Sequence, residues 1–177
     1  MEINIFDLAS VDKAIEELEK LNERLAKCEK ELVPRLLAIG QETAQPIFNA
    51  APIATDADPH VDVRIESDNN TGVLHATGEV AGFLEFGTGI IMGQGETLPR
   101  PEGWGLGEYG RGRGKNPPWG YYGSAGDNPP EGTREVLKKG KTVTITKGNK
   151  PAGAMLRASE EMQDNAAIIA REVLNKP

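Results

Sequence analysis

The chain has 177 residues, of which 38% are apolar and 27% are charged, a composition typical of a single globular domain. Its formal net charge of −7 argues against the broad basic surface that supplies most of the affinity for nucleic acids. Its one cysteine, Cys28, cannot form an intrachain disulfide, and no segment approaches the roughly 20 apolar residues of a membrane span. The N-terminal residues lack the basic start of a signal peptide, so we expect a cytoplasmic product with no membrane partner.

Residues 10–50 predict a long N-terminal helical segment. Ser10 is a plausible N-cap, and Asp12 would lie in the first turn, where the helix dipole favours an acid. Pro34 predicts a kink or a short break, followed by a second helical piece from 35 to about 49. The apolar stripe could form a coiled coil, but it spans fewer than three heptads. Packing on its own domain or on a neighbouring subunit is therefore favoured. The stripe consists of Ala14, Leu18, Leu21, Leu25, Cys28 and Leu32.

Residues 61–67 alternate apolar and polar side chains, a pattern that indicates a half-buried antiparallel strand. The turn-forming sequence DNNTG follows, and VLHATGEV then predicts a second strand that closes a hairpin. Residues 141–147 predict a third strand, and residues 151–175 predict a C-terminal helix. The expected fold class is α+β, with a small antiparallel β-sheet, a long kinked N-terminal helix and a C-terminal helix. One domain would span 1–177, with its α+β core in 61–91 and 134–177.

Residues 92–133 form a long loop insertion, called the arm below. It holds more than half of the 21 glycines, half of the 12 prolines, and every Trp and Tyr of the chain. Long loops inside compact domains are usually functional or disordered, and disordered loops are normally poor in aromatic residues. We therefore expect the arm to become ordered against a partner. The candidate anchors are Trp104, Tyr109, Trp119, Tyr121 and Tyr122.

Three weaker motifs leave alternatives open. GLGEYG at 105–110 matches a dinucleotide-binding fingerprint, but glycine and proline flank it where a strand and a helix are required. Arg111, Arg113 and Lys115 form a local basic cluster, which allows a nucleic-acid-binding module. A metal-dependent enzyme is the third alternative, since carboxylates and a histidine occupy alternate positions near the first strand. Those residues are Asp56, Asp58, His60 and Asp62.

The stretch EVAGFLEFGTGI, residues 79–90, places Glu85 between two phenylalanines. Phe83 and Phe86 would share one face of a short helical turn and anchor it in the core. Gly87 can take a positive φ and end that turn, although a strand is a competing structure. On this interpretation Glu85 is a partner for a basic group or for backbone amides, within or between subunits, and not a proton donor.

The segments PIAT (52–55), EFGT (85–88) and PAGAMLRA (151–158) occur in this order along the chain. Together they resemble the small tail-completion and head–tail joining proteins of long-tailed double-stranded DNA phages. That family typically shows Pro-Val-x-Thr-Gly, then Tyr-Ala-x-x-Val-Glu-Phe-Gly-Thr, then Pro-x-Pro-Phe-Leu-x-Pro-Ala. Here EFGT matches in full, Asp56 replaces the glycine of the first motif, and Met155-Leu156 stands for Phe-Leu in the third.

The resemblance implies a structural, non-enzymatic protein of the virion, without a cofactor, that is assembled in the host cytoplasm. It would form a homo-oligomeric ring, commonly a hexamer, in the phage neck or at the head-proximal end of the tail. Neck and tail-tube proteins would be its neighbours, and genomic DNA would pass through the ring without specific binding. We expect the subunit interface to use Glu85, Phe86, Gly87, Thr88, Trp104, Tyr109, Arg111, Arg113, Trp119, Tyr121 and Tyr122.

Overall fold

The computed structural model describes residues 8–68, 71–89 and 119–175, and it confirms the α+β class. Two long helices pack against each other beside two small antiparallel sheets. The elements, in chain order, are α1 (Leu8–Ala50), β1 (Asp62–Ser67), β2 (Gly72–Thr77), α2 (Ala81–Phe86), β3 (Trp119–Tyr122), β4 (Arg134–Lys138), β5 (Lys141–Thr146) and α3 (Ala154–Asn175).

The core forms where α3 packs antiparallel along the C-terminal half of α1. At one end of this contact, Phe48 of α1 lies in a buried cluster with Ala154 and Ala158 of α3. At the other end, Cys28 packs against Ile169 and Val173 in a second buried cluster. Small side chains let the helices approach closely in between. A Cβ added at Gly40, for example, would lie 2.8 Å from Sδ of Met162.

Helix α1 is longer and more continuous than the sequence predicts. It starts at Leu8, so Ser10 lies inside the helix and is not its N-cap, and Asp12 lies beyond the first turn. Leu8 and Ala9 are good helix formers, which explains the extension past Ser10. Of the kink or short break predicted at Pro34, the break is absent, because the helix continues through Pro34 to Ala50. The missing N–H of Pro34 removes one hydrogen bond, and packing against α3 on the same stretch offsets that loss.

The first sheet is the predicted hairpin, β1 paired with β2, with Ile65 opposite Leu74. It packs on α1, and two glutamines of the helix bind the strand edge that β2 leaves unpaired. Nε2 of Gln41 donates to the carbonyl oxygen of Val63 at 2.6 Å. Gln45 accepts from the Val63 amide at 2.9 Å and donates to the Val61 carbonyl oxygen at 2.7 Å. The open edge of β1 is thereby satisfied at Val63, on the side that β2 does not pair.

The second sheet has the strand order β3-β5-β4, and only β5 was predicted from the sequence. Lys139 and Gly140 form the two-residue turn between β4 and β5, with φ values of 51° and 75°. Positive φ at both positions is the geometry of a tight hairpin turn. Residues 92–133 were predicted to be one irregular loop, but strand β3 lies within them. Trp119–Tyr122 of the arm form β3 of this sheet, and the loop that follows leads to β4.

Replacing Leu84 by Ala tests the position of the core. Leu84 is 1% exposed, so the substitution removes buried contacts and leaves a cavity. We expect the free energy of unfolding to fall by about 2–5 kcal/mol in urea titrations followed by circular dichroism. Leu137→Ala is the matched control, because Leu137 is 78% exposed, and it should change stability by less than about 0.5 kcal/mol. Equal effects of the two substitutions would contradict this description of the core.

Candidate functional site

Two segments that lie more than 60 positions apart in the sequence meet at one junction. One is EFGT, which ends α2 and leaves it. The other runs from Asn149 into the first turn of α3. We call this contact the Glu85 junction and define it by residues 83–88 and 149–156. It contains EFGT and the first six residues of PAGAMLRA, the second and third of the sequence segments that carry the phage resemblance.

The carboxylate of Glu85 caps the N-terminus of α3. Its Oε2 accepts from the Met155 amide at 3.0 Å, and its Oε1 accepts from the Leu156 amide at 3.2 Å. The first amides of a helix have no partner within the helix, and its N-terminus carries a partial positive charge. Glu85 is only 7% exposed, so these two hydrogen bonds also compensate for burying a charged side chain. The predicted contact with backbone amides is confirmed within one chain.

Backbone hydrogen bonds reinforce the same contact. The Ala152 amide donates to the Leu84 carbonyl oxygen at 2.8 Å, and the Gly153 amide donates to the Glu85 carbonyl oxygen at 3.2 Å. The open C-terminal end of the short helix α2 is thus satisfied by the segment that leads into α3. The carbonyl groups at the end of α2 therefore accept hydrogen bonds from the segment before α3, and Glu85 of α2 accepts hydrogen bonds from the first amides of α3.

Asn149 fixes the other side of the junction, and the sequence analysis missed it. Its side chain is 2% exposed and donates from Nδ2 to the Phe83 carbonyl oxygen at 3.0 Å. The Asn149 amide donates to Oγ1 of Thr88 at 3.1 Å, and the Thr88 amide donates back to the Asn149 carbonyl oxygen at 2.9 Å. No periodic pattern marks a single asparagine in the sequence KGNKP. Only the fold reveals its role.

Position 87 of the junction requires glycine, both for its backbone conformation and for lack of space. Its φ is 75°, and a Cβ at this position would lie 2.7 Å from the Pro151 nitrogen and 2.8 Å from the Asn149 carbonyl oxygen. Other residues rarely adopt this φ and would also collide with the backbone. The prediction that Gly87 ends a helical turn is confirmed, and the competing strand is wrong because α2 is a helix. Phe83 packs partly buried against the main core, as predicted, whereas Phe86 is half-buried and is not one of the described residues that form that cluster.

A groove of about 940 Å³ lies beside the junction. We call it the proline groove because four prolines from distant parts of the chain line it. The exposed residues Lys147, Lys150 and Glu131 also line it. Such a surface suits the binding of an apolar or aromatic segment of another polypeptide. Its prolines are Pro46, Pro52, Pro130 and Pro151.

The first sequence segment, PIAT, reaches the same groove. Pro52 lines it, and Ile53 next to it is buried in the main core. The Ile53 amide donates to the Asn128 carbonyl oxygen at 2.9 Å, and the Thr55 amide donates to the Ala125 carbonyl oxygen at 3.3 Å. The loop after β3 thus holds the PIAT segment against the body of the protein. A variant that tests the arm must therefore leave the residues from Trp119 onward in place.

The predicted interface residues of the arm fall into two groups. Trp104, Tyr109, Arg111 and Arg113 lie outside the described residues, as do Lys115 and the GLGEYG motif. Trp119, Tyr121 and Tyr122 lie on β3.

The two tyrosines of β3 differ in their surroundings. The Tyr121 hydroxyl donates to the Ser124 carbonyl oxygen at 2.8 Å, and partial burial raises the pKa of Tyr121. Tyr122 is 64% exposed, with Nζ of Lys141 5.9 Å from its ring centre. An exposed aromatic ring beside a cation is a common feature of binding surfaces. A role of either residue in a subunit interface stays a prediction.

The residues of the metal alternative do not gather at one point. Asp58 accepts from the His60 amide, and Asp62 binds Arg64 at 2.6 Å, while Asp56 lies against Gly123. Among the residues that the structure describes, no three His, Cys, Asp or Glu side chains are placed to hold a metal ion together. Within the same described ranges, no helix combines the length and the apolar content needed to span a membrane.

Glu135 of β4 holds, by hydrogen bonds, the loop after β3 that supports PIAT. Its Oε1 accepts from the Ala125 amide at 2.6 Å and from Oγ of Ser124 at 3.0 Å. The hydrogen bond from the Ala125 amide, followed by that from Ser124, lowers the pKa of the Glu135 carboxyl below its usual value. The charged form of Glu135 therefore favours the ordered loop.

Comparisons of the chain with protein-family models, with curated proteins and with solved structures returned no match.

Replacing Glu85 by Ala should destabilise the protein by about 2 kcal/mol, because two helix amides lose a buried acceptor. Glu85→Gln retains one acceptor oxygen but loses the charge, so we expect a smaller loss. Denaturant unfolding measures both values. Glu79→Ala is the control, because Glu79 is an exposed carboxylate just before α2 and should change stability by less than about 0.5 kcal/mol. A Glu85→Ala protein as stable as the control would disprove the capping role.

The lowered pKa of Glu135 predicts an acid-sensitive loop. Its contribution is fully present above the unfolded pKa of a glutamate and is lost as the pH falls through the lower folded value. In an NMR titration, the Ala125 amide resonance should shift together with protonation of Glu135. Glu135→Gln, which keeps a carbonyl acceptor, should remove that pH dependence. If the chemical shift of the Ala125 amide in the unmodified protein does not change as Glu135 is protonated, the hydrogen bond is absent in solution.

Proposed function

We propose that this protein is a structural component of a phage virion that forms an oligomeric ring in the neck or at the head-proximal end of the tail. It would act in tail completion or head–tail joining by making contacts and not by catalysing a reaction. The ring would consist of about six copies, arranged around a common axis.

The observation that carries the proposal is the meeting of the three resembling segments in space. EFGT supplies the carboxylate that caps the helix begun by PAGAMLRA, with Glu85 bound to the amides of Met155 and Leu156. Pro52 of PIAT and Pro151 of PAGAMLRA line the same groove. A shared architecture with the resembling family would bring these segments together, so their proximity supports the proposal.

The chemistry of the described surface supports a binding role. The proline groove is mostly apolar, and the exposed ring of Tyr122 lies on the sheet that the arm leads into. Interfaces between proteins are enriched in aromatic anchors of this kind. The net charge of −7 suits a channel wall along which DNA slides, because like charges create no adhesive sites.

Native mass spectrometry and negative-stain electron microscopy test the proposal. The 19.1 kDa chain should form a closed ring of about six copies, alone or when co-expressed with the genes that flank it. A variant in which a flexible linker of about 10 residues replaces 92–117 should remain folded and lose the ring. A chain that stays monomeric in both preparations would refute the ring.

A triple variant, with Arg111, Arg113 and Lys115 changed to Ala, separates this function from the nucleic-acid alternative. It should assemble like the unmodified protein, because the ring does not depend on gripping DNA. Tight, salt-sensitive DNA binding that these three substitutions abolish would instead favour the nucleic-acid-binding module.

A further inference from the structure

Helix α1 carries an exposed row of large apolar side chains in its N-terminal half. We call this row the leucine seam and define it as Ile15, Leu18, Leu21 and Leu25. Their exposures are 49%, 60%, 48% and 47%, respectively, which is high for four large apolar residues on one helix face. Exposed apolar surface of this kind usually marks a contact with another molecule.

The leucine seam continues an interface that is already built within the chain. Helix α3 covers the same stripe at Cys28 and Leu32. From Leu25 toward the N-terminus, Leu21 and Leu18 keep the spacing of four and three and are about half exposed, Ile15 lies exposed beside them, and the smaller Ala14 is buried. A repeat of 3.5 residues keeps a stripe facing a parallel or antiparallel partner helix over its whole length. The partner that fits the seam is therefore another helix, lying nearly along α1.

We propose that the leucine seam binds the same seam of a second copy of this protein, with the two α1 helices antiparallel. The charges beside the seam favour this occupant. Glu17 and Arg24 are both exposed and occupy equivalent flanking positions one heptad apart. Flanking charges of this type select the partner and the orientation of paired helices.

The antiparallel arrangement satisfies both of these charges. When the two-fold axis passes between Leu18 and Leu21, Leu18 of each copy lies opposite Leu21 of the other. The same register places Glu17 of each copy opposite Arg24 of the other, so two opposite-charge contacts form. A parallel pairing would place Glu17 opposite Asn22, and it would bring Arg24 to the acidic position 29 only next to Cys28, where α3 already covers the stripe. Self-pairing in the antiparallel sense therefore uses the charges and the apolar residues together over residues 12–27, since residues beyond this range would meet the stretch at Cys28 that α3 covers.

This contact goes beyond the proposed function and does not depend on it. An antiparallel pairing is a two-fold contact in which both copies use the same surface, so it cannot by itself close a ring of six. If the proposed ring forms, the contact would join two rings through their α1 helices. If no ring forms, the same contact would make a simple dimer.

Analytical ultracentrifugation of the full chain, from about 1 µM to about 1 mM, tests the pairing. Leu21→Glu should remove it, because the substitution places a charge in the middle of the seam. Leu21 is about half exposed in the single copy, so the variant should keep its fold, which far-UV circular dichroism checks.

Charge reversal tests the orientation. Glu17→Arg and Arg24→Glu should each raise the dissociation constant about tenfold, since each creates two like-charge contacts. The double variant exchanges the two charges and should return to within about threefold of the unmodified protein. Glu23→Arg makes the same charge change on the face away from the seam and should leave the dissociation constant unaltered.

The outcomes separate this inference from the ring. A ring whose mass is unchanged by Leu21→Glu would overturn the pairing and keep the proposed function. If the unmodified protein forms a dimer that Leu21→Glu abolishes, and no ring forms under any condition, the pairing is supported and the proposed ring is overturned. A double variant that pairs no better than the single ones would overturn the antiparallel arrangement, and a protein with no association at any concentration would overturn the seam contact altogether.

Discussion

The structure depends on one buried carboxylate at the start of a helix. Glu85 binds the amides of Met155 and Leu156, and this contact sets where α3 begins and how it enters the core. Because α3 supplies buried residues to both clusters along α1, an error at its start would affect packing over its whole length. A carboxylate buried without hydrogen bonds would destabilise the fold, and so would helix amides buried without an acceptor. The hydrogen bonds between them remove both costs.

The same junction shapes the candidate binding surface. Asn149 and Pro151 take part in the junction and also line the proline groove. On the opposite wall, Pro130 lies just after the loop that holds PIAT in place. The groove is therefore lined in part by the same residues that hold α3 in place. Its two walls are fixed by the hydrogen bonds that secure α3 and PIAT, so ligand contact there would act on a rigid part of the molecule.

Local patterns predicted the elements whose contacts are periodic. The alternation in residues 61–67 and the β-branched run at 141–147 correspond to β1 and β5, and the C-terminal stripe corresponds to α3. The helical turn before Gly87 could also be derived, because Gly and the two phenylalanines each impose a local constraint. These features depend on neighbours within a few residues along the chain.

Features that depend on distant partners could not be predicted. The continuity of α1 past Pro34 reflects its packing on α3, which compensates for a local defect that the sequence shows clearly. Strand β3 is only four residues long and lies in a glycine-rich segment, so its pairing with β5 gave no recognisable period. The partners of Glu85 and the role of Asn149 likewise arise only when segments over 60 positions apart come together.

The glutamines of α1 have a consequence for how copies of this protein can associate. Gln41 and Gln45 occupy the hydrogen-bonding groups on the open side of β1 at Val61 and Val63. An extended strand from another molecule could not join that side without displacing both side chains. The β1 edge of the hairpin is thus protected against edge-to-edge pairing at Val61 and Val63, so association of copies through an added strand is disfavoured on this side.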